Sequence, residues 1–154
     1  MDATLDPLDI ALLAELQRDA RQPQSSLGAR IGLSATAINR RIRRLTDAGI
    51  IQRTTAVLAP ELVGKPLTII VNIEAVSEEL DKIDQLEREF AARPEIQQCY
   101  YVTGEWDFAL VVIVADMAEY DRLTRDLFFA SANVKRFKSL VVMRRTKTTQ
   151  NVPL

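Results

Sequence analysis

Histidine is absent from this 154-residue sequence, and cysteine occurs once, as Cys99. These two gaps remove His/Cys zinc sites, Cys-His nucleophiles and every Ser-His-Asp triad. The common hydrolytic and metal chemistries are therefore not expected, and no catalytic residue, metal ligand or cofactor is assigned. A single cysteine makes no intrachain disulfide, and no charged-then-apolar leader opens the sequence, so the expected address is a reducing cytoplasm. No apolar run reaches the roughly 18 residues that a membrane-spanning helix needs.

What is present is the composition of a soluble globular chain, 47% hydrophobic with a net charge of -1, long enough for one ordinary domain or two small ones. The charge is unevenly laid out. Residues 1–20 carry one base and five acids; residues 21–55 carry seven arginines and one acid, Asp47; residues 56–154 carry 12 bases and 15 acids. An all-arginine cationic stretch in an otherwise acidic chain points to a local anion-binding face. Ile, Val and Phe become common only after about residue 65. Ala59-Pro60 and Gly64-Lys65-Pro66 punctuate the chain at that place, which predicts a domain over 1–58, a linker over 59–66 and a second domain over 67–154.

The first region reads as three helices. Asp6-Pro7 is a helix start, since the Asp side chain accepts from free N–H groups and proline suits the first turn. Leu8, Leu12, Leu13 and Leu16 then make an apolar face, and the helix should end near Arg18 to Arg21. After Pro23, Ser25 or Ser26 is a candidate cap for a short second helix with Leu27 and Ile31. Gly32-Leu33-Ser34 follows as a sharp turn with Leu33 as a plug. Ser34 is the expected N-cap of a third helix with Ile38, Ile42 and Leu45 facing inward, and Gly49 is its stop.

Two short helices joined by a glycine-containing turn form a helix-turn-helix, whose second helix enters the DNA major groove. Ser34, Ala35, Thr36 and Asn39 lie at the end of the third helix that would approach base edges. Spacing puts Arg41 closest to the apolar stripe, where it should pack or pair structurally. Arg40, Arg43 and Arg44 are the phosphate candidates. Ile50 through Val57 alternates as a strand, expected to form a small wing that adds Arg53 to the DNA contacts.

The second region reads strand, helix, strand, strand, helix, strand. Leu67 to Ala75 is the first strand, and Ser77 is a cap for a helix through about Ala92. Ile96 to Thr103 and Asp107 to Ala115 form a hairpin around a tight turn at Gly104-Glu105. Asp116 caps a helix with Tyr120, Leu123, Leu127 and Phe128, and Val134 to Arg145 closes the set. The βαββαβ order predicts a ferredoxin-like fold with both helices on one face of a four-stranded antiparallel sheet. The whole chain is then α+β, a winged helix-turn-helix domain plus a ferredoxin-like domain. Apolar residues on both sides of the strands predict a homodimer through the bare face.

The segments LDPLDIALLAELQRDAR, GLSATAINRRIRRLTDAGII, PEIQQCYYVTGEWDFALVV and TQNVPL resemble the leucine-responsive/asparagine-responsive regulators, the Lrp/AsnC or feast/famine family, over nearly the whole chain. The resemblance implies a DNA-binding transcriptional regulator of amino-acid metabolism genes, with double-stranded operator DNA as partner. It further implies a dimerising sheet domain, assembly toward octamers, and an amino-acid effector bound between dimers at the turn Val102 to Asp107. Thr103, Gly104, Glu105, Trp106 and Asp107, with Ser139 on the last strand, are the effector candidates it gives. Two departures are local: Thr46 replaces an acidic residue, and Lys138 stands where a smaller polar residue is common.

The chemistry of the turn suits that role. Free N–H groups near Gly104 could hold a carboxylate, Asp107 or Glu105 could accept from an α-ammonium, and Trp106 could line the side-chain pocket. The same residues also suit a plainer role, with Gly104 and Asp107 shaping the hairpin and Trp106 packing in an oligomer contact. Two rival functions lack support. Glu105 and Asp107 as an acid/base pair have no nucleophile or metal beside them. The strand centres, TIIVNI and ALVVIV, carry no aromatics on which RNA bases could stack.

Overall fold

The computed structural model describes residues 4–154. The chain forms two compact units: one takes the chain up to Val57 together with Thr148–Leu154, the other takes Leu58–Lys147.

In the first unit, α1 (Pro7–Arg18) starts as the sequence predicts. The Asp6 carboxylate accepts from the Asp9 N–H at 2.8 Å, and the Asp9 carboxylate accepts from the Asp6 N–H at 3.1 Å, a reciprocal cap. α2 (Gln24–Ile31) begins before the expected serines. Pro23 takes the capping place with no side-chain bond; its carbonyl accepts from the N–H groups of Ser26 and Leu27. Gly32, at φ 80°, ends α2 in the left-handed region, and Ser34 caps α3 (Ala35–Asp47) by accepting from the Ala37 N–H. Leu12, Leu13, Leu27, Ile38 and Leu45 are buried between the helices, with Leu33 and Ile42 packed at the margin. Leu8, expected on the apolar face, is exposed.

Gly28 fixes how closely α2 and the turn approach. A Cβ there would lie 2.3 Å from the Leu33 carbonyl oxygen. Only glycine lets the backbones meet at that spacing.

The expected wing strand does not form: among the described residues, no strand occurs between α3 and Leu67. Ile50 and Ile51 both donate to the Leu45 carbonyl, and residues 53–57 are exposed. Alternating residues satisfy the pattern of a strand, but strand backbone needs a partner to pair with, and this segment has none in the described chain. The C-terminal segment, expected in the second domain, returns to α1 instead. Gln17 donates from Nε2 to the Val152 carbonyl at 2.9 Å and accepts from the Val152 N–H through Oε1 at 2.6 Å.

The second unit begins with the segment expected as a linker, which is ordered. Pro60–Val63 form a 3-10 turn, and Lys65 pairs with Glu119 at 2.6 Å. β1 (Leu67–Ala75), α4 (Leu80–Ala91), β2 (Ile96–Tyr101), β3 (Phe108–Val114), α5 (Met117–Thr124) and β4 (Val134–Val141) follow, with a π-helical turn over Arg125–Phe129. The sheet order is β2-β3-β1-β4, and all neighbours are antiparallel. This is the ferredoxin-like arrangement.

Alternation divides the sheet. Ile69, Val71, Ile73, Phe108, Leu110, Val112 and Val114 are buried against Ile83, Leu86 and Phe90 of α4 and Tyr120 and Leu123 of α5. Ile70 and Leu140 alternate onto the opposite face, where they are exposed.

Three sequence boundaries shift. Ser77 does not cap α4; its N–H donates to Asn133 Oδ1, and its carbonyl accepts from Asn133 Nδ2, while Glu79 takes the cap place. β4 stops at Val141. The hairpin connection runs from Val102 to Asp107, closed by Val102 N–H donating to the Asp107 carbonyl at 2.8 Å, so it is a six-residue loop. Among the described residues, no helix is long and apolar enough to cross a membrane.

Candidate DNA-binding helix and effector loop

The inner side of α3 is fixed first. Asp9 on α1 is completely buried, and its carboxylate receives Arg41 at 2.7 Å and Arg44 at 2.5 Å. Arg41 also reaches Asp6 at 2.7 Å. Burial by itself would raise the Asp9 carboxyl. The hydrogen bonds from Arg44, from the Asp6 N–H and from Arg41 outweigh it and bring the carboxyl down to about 2. Two of the four arginines therefore anchor α3 to α1. Arg41 was expected in that role. Arg44 was expected on phosphate, and it is drawn inward because Asp9 offers a second oxygen that one guanidinium leaves unfilled.

The outer side of α3 is left to the others. Ser34, Ala35, Thr36, Arg40 and Arg43 are exposed, and Asn39 is half-buried. Thr36, Arg40 and Arg43 follow at spacings of four and three, so they share one stripe opposite Ile38 and Leu45. Among the described residues, Arg40, Arg43 and Arg53 enter no ion pair. Arg53 lies exposed on the unpaired segment after the helix.

The loop of the second unit carries the other candidate residues. Gly104 sits at φ 126°, where a side chain would strain the backbone. Thr103, Gly104 and Glu105 are exposed; Trp106 and Asp107 are half-buried. Asp107 has structural duties. Its Oδ2 accepts from the Ala75 N–H at 2.7 Å, and its own N–H donates to the Ile73 carbonyl at 2.9 Å, which stitches the loop to the end of β1.

Glu105 pairs with Arg136 of β4 at 3.2 Å, and the Arg136 guanidinium carbon lies 4.6 Å from the centre of the Trp106 ring. Arg136 also pairs with Glu74 through Nε, and Lys135 holds the other Glu74 oxygen. The hydrogen bonds from Lys135 and Arg136 lower the Glu74 carboxyl, and the bond to Glu74 raises Arg136. Ser139 is not brought to this cluster within one chain. It stands opposite Val71, on the helix-covered side, and its Oγ lies 2.5 Å from the Tyr120 hydroxyl. Arg136 stands opposite Glu74 on the other side.

Arg136 and Glu74 were missed by sequence reasoning. Opposite charges facing each other across paired strands are a readable signal only once the register is known. Among the described residues, no group of His, Cys, Asp and Glu could hold a metal ion.

Comparison with known proteins matches both units. Residues 5–52 fit the winged helix-turn-helix DNA-binding model, and residues 68–152 fit the Lrp/AsnC ligand binding domain. The chain is 39% identical over 150 residues to an uncharacterized helix-turn-helix-type transcriptional regulator of Sinorhizobium fredii, covering 97% of this chain and 89% of the relative. It is 37% identical over 145 residues to the leucine-responsive regulatory protein of Haemophilus influenzae, covering 94% and 87%. Among solved structures, it is similar to an AsnC family transcriptional regulator from Agrobacterium tumefaciens, with a TM-score of 0.90 and 29% identity over 97% of each chain. A transcriptional regulator from Neisseria meningitidis in complex with L-Met matches with the same TM-score, identity and coverage.

Proposed function

Because the chain belongs to the Lrp/AsnC family of helix-turn-helix transcriptional regulators, we propose that α3 reads operator DNA and that an amino acid acts at the Val102 to Asp107 loop to control that binding. The observation that carries the DNA reading is the stripe Thr36, Arg40 and Arg43, exposed and without ion pairs on a helix whose inner arginines are already neutralised. Ser34, Ala35, Thr36 and Asn39 approach base edges, and Arg40, Arg43 and Arg53 approach phosphates. Arg44 contributes mainly by holding α3 in place.

Two copies present two such helices to half-sites about one DNA turn apart. The open sheet face with Ile70, Tyr100 and Leu140 is the surface on which the second copy packs, and further assembly toward an octamer follows the family pattern. The regulator works in the cytoplasm, without a cofactor and without catalysis. The effector reading is supported by the leucine-responsive relative and by the neighbour that holds L-Met.

The test is salt-dependent binding to an operator fragment. Replacing Arg40 and Arg43 by Ala removes four phosphate contacts per dimer, so the slope of log K against log salt should fall by about three to four. An unchanged slope would show that these arginines face away from DNA.

A further inference from the structure

The 12 bases and 15 acids of residues 56–154 are not mixed along the chain. Residues 56–126 hold six of the bases and all 15 acids; residues 127–154 hold Lys135, Arg136, Lys138, Arg144, Arg145 and Lys147, and no acid. The chain thus has a second cationic stretch, equal in net charge to the one over residues 21–55. Three of its six bases are neutralised inside the second unit. Lys135 and Arg136 share Glu74, and Arg145 pairs with Glu61 at 2.6 Å. Lys138 stands opposite Asn72 on the open sheet face, which the second copy covers in the dimer proposed above. Arg144 and Lys147 are exposed, and among the described residues neither enters an ion pair or a side-chain hydrogen bond.

These two cations are not carried on a loose end. The Val142 N–H donates to the Thr68 carbonyl at 3.0 Å, and Arg145 is tied to Glu61 on the 3-10 turn, so the backbone that displays them is pinned on both sides of Arg144 and two residues before Lys147. Lys147 is the last residue before the chain passes back into the DNA-binding unit, where Val152 is held on Gln17. Pinning lowers the ordering cost of meeting an anion.

We propose that Arg144 and Lys147 make a second contact with duplex DNA, to backbone phosphates outside the bases that α3 reads. This rests on the DNA reading given above. Two exposed cations hold a free partner weakly, but once α3 sits on its half-site the second contact forms within the same complex, at a high effective concentration of phosphate. That favours the DNA already bound over an acidic protein surface that would have to be captured from solution. Phosphate contacts carry no base information, so the second contact adds affinity and lengthens the protected site without changing the sequence preferred.

The experiment is binding of the full chain to an operator fragment that extends a helical turn beyond each half-site, measured against salt, with sizing of every variant. Arg144→Gln with Lys147→Gln removes four phosphate contacts per dimer, so the slope of log K against log salt should fall by about three to four. Affinity for the operator and for a duplex of scrambled sequence should fall by the same factor. Arg144→Lys with Lys147→Arg keeps both charges and should keep the slope. Arg88→Gln with Arg122→Gln removes two other exposed cations, on α4 and α5, and should leave the slope at the wild-type value. An unchanged slope in the folded glutamine variant, or an equal fall in the Arg88 and Arg122 pair, overturns the second contact alone. A change of assembly size in the glutamine variant assigns the two cations to an acidic face of another copy and overturns it as well. Failure of the wild-type protein to bind any duplex overturns the DNA reading and the second contact together.

Discussion

Asp9 is the one buried polar residue among the described residues of the first unit, and a buried carboxylate between two guanidinium groups depends on their charges for its own. Replacing it with Asn keeps the shape and removes the charge, leaving Arg44 without its counter-ion and Arg41 with Asp6 alone. The expected cost is about 2–4 kcal/mol at neutral pH, read by denaturant unfolding. The pH dependence has a definite sign. The Asp9 carboxyl lies at about 2 when folded against an ordinary 3.8, so its contribution is complete above about pH 5 and is lost as pH falls through 3.8 toward about 2. That contribution is about 2 kcal/mol. The Asn variant should therefore show a flatter acid limb, and an identical limb would place the titration elsewhere. Arg41→Ala should lower stability while leaving the salt slope of DNA binding near that of wild type, the reverse of the Arg40 and Arg43 pair.

The elements show where short-range pattern sufficed and where it did not. β1 was readable to the residue, because Leu67 to Ala75 is rich in Ile and Val and follows the helix-breaking Pro66. The Ser34 cap was readable too, since capping is local chemistry. The strand after α3 was misread for a physical reason: residues 50–57 alternate correctly, but pairing depends on a second strand that the local sequence does not contain. The Arg44–Asp9 pair was not foreseen, because helical spacing says which side a residue leaves from, and not where a carboxylate on another helix waits. Of the loop candidates, Gly104 and Asp107 were recognisable as special, yet their division of labour depends on β1. Gly28 was invisible for the same reason, its neighbour being a carbonyl in the following turn. Gly28→Ala should cost about 1–3 kcal/mol by pushing α2 away from that carbonyl, measured as a lowered melting temperature. Asp107→Ala should also destabilise, by about 1–3 kcal/mol, since it orphans the Ala75 N–H; Asp107→Asn, which keeps an acceptor, should recover part of the loss.

For the whole molecule, the decisive contrast lies between the two faces of the sheet. One is closed by α4 and α5; the other leaves Ile70 at 38% and Leu140 at 43% exposure in adjoining strands. A second copy covers this face in the assembly proposed above. Ile70→Lys places a charge at its centre and should shift the protein toward monomer in analytical ultracentrifugation, while the helix-covered side keeps the fold. A dimer of unchanged strength would put the interface elsewhere.

The return of Thr148–Leu154 to Gln17 makes the first unit discontinuous in sequence, with residues 58–147 inserted into it. During synthesis, the three helices emerge first, yet the Gln17 amide meets its partners only after the whole sheet unit has left the ribosome. A fragment cut at Val57 would carry an unfilled docking place on α1. The seven missing residues, added as a free peptide, are the natural piece to restore it in trans.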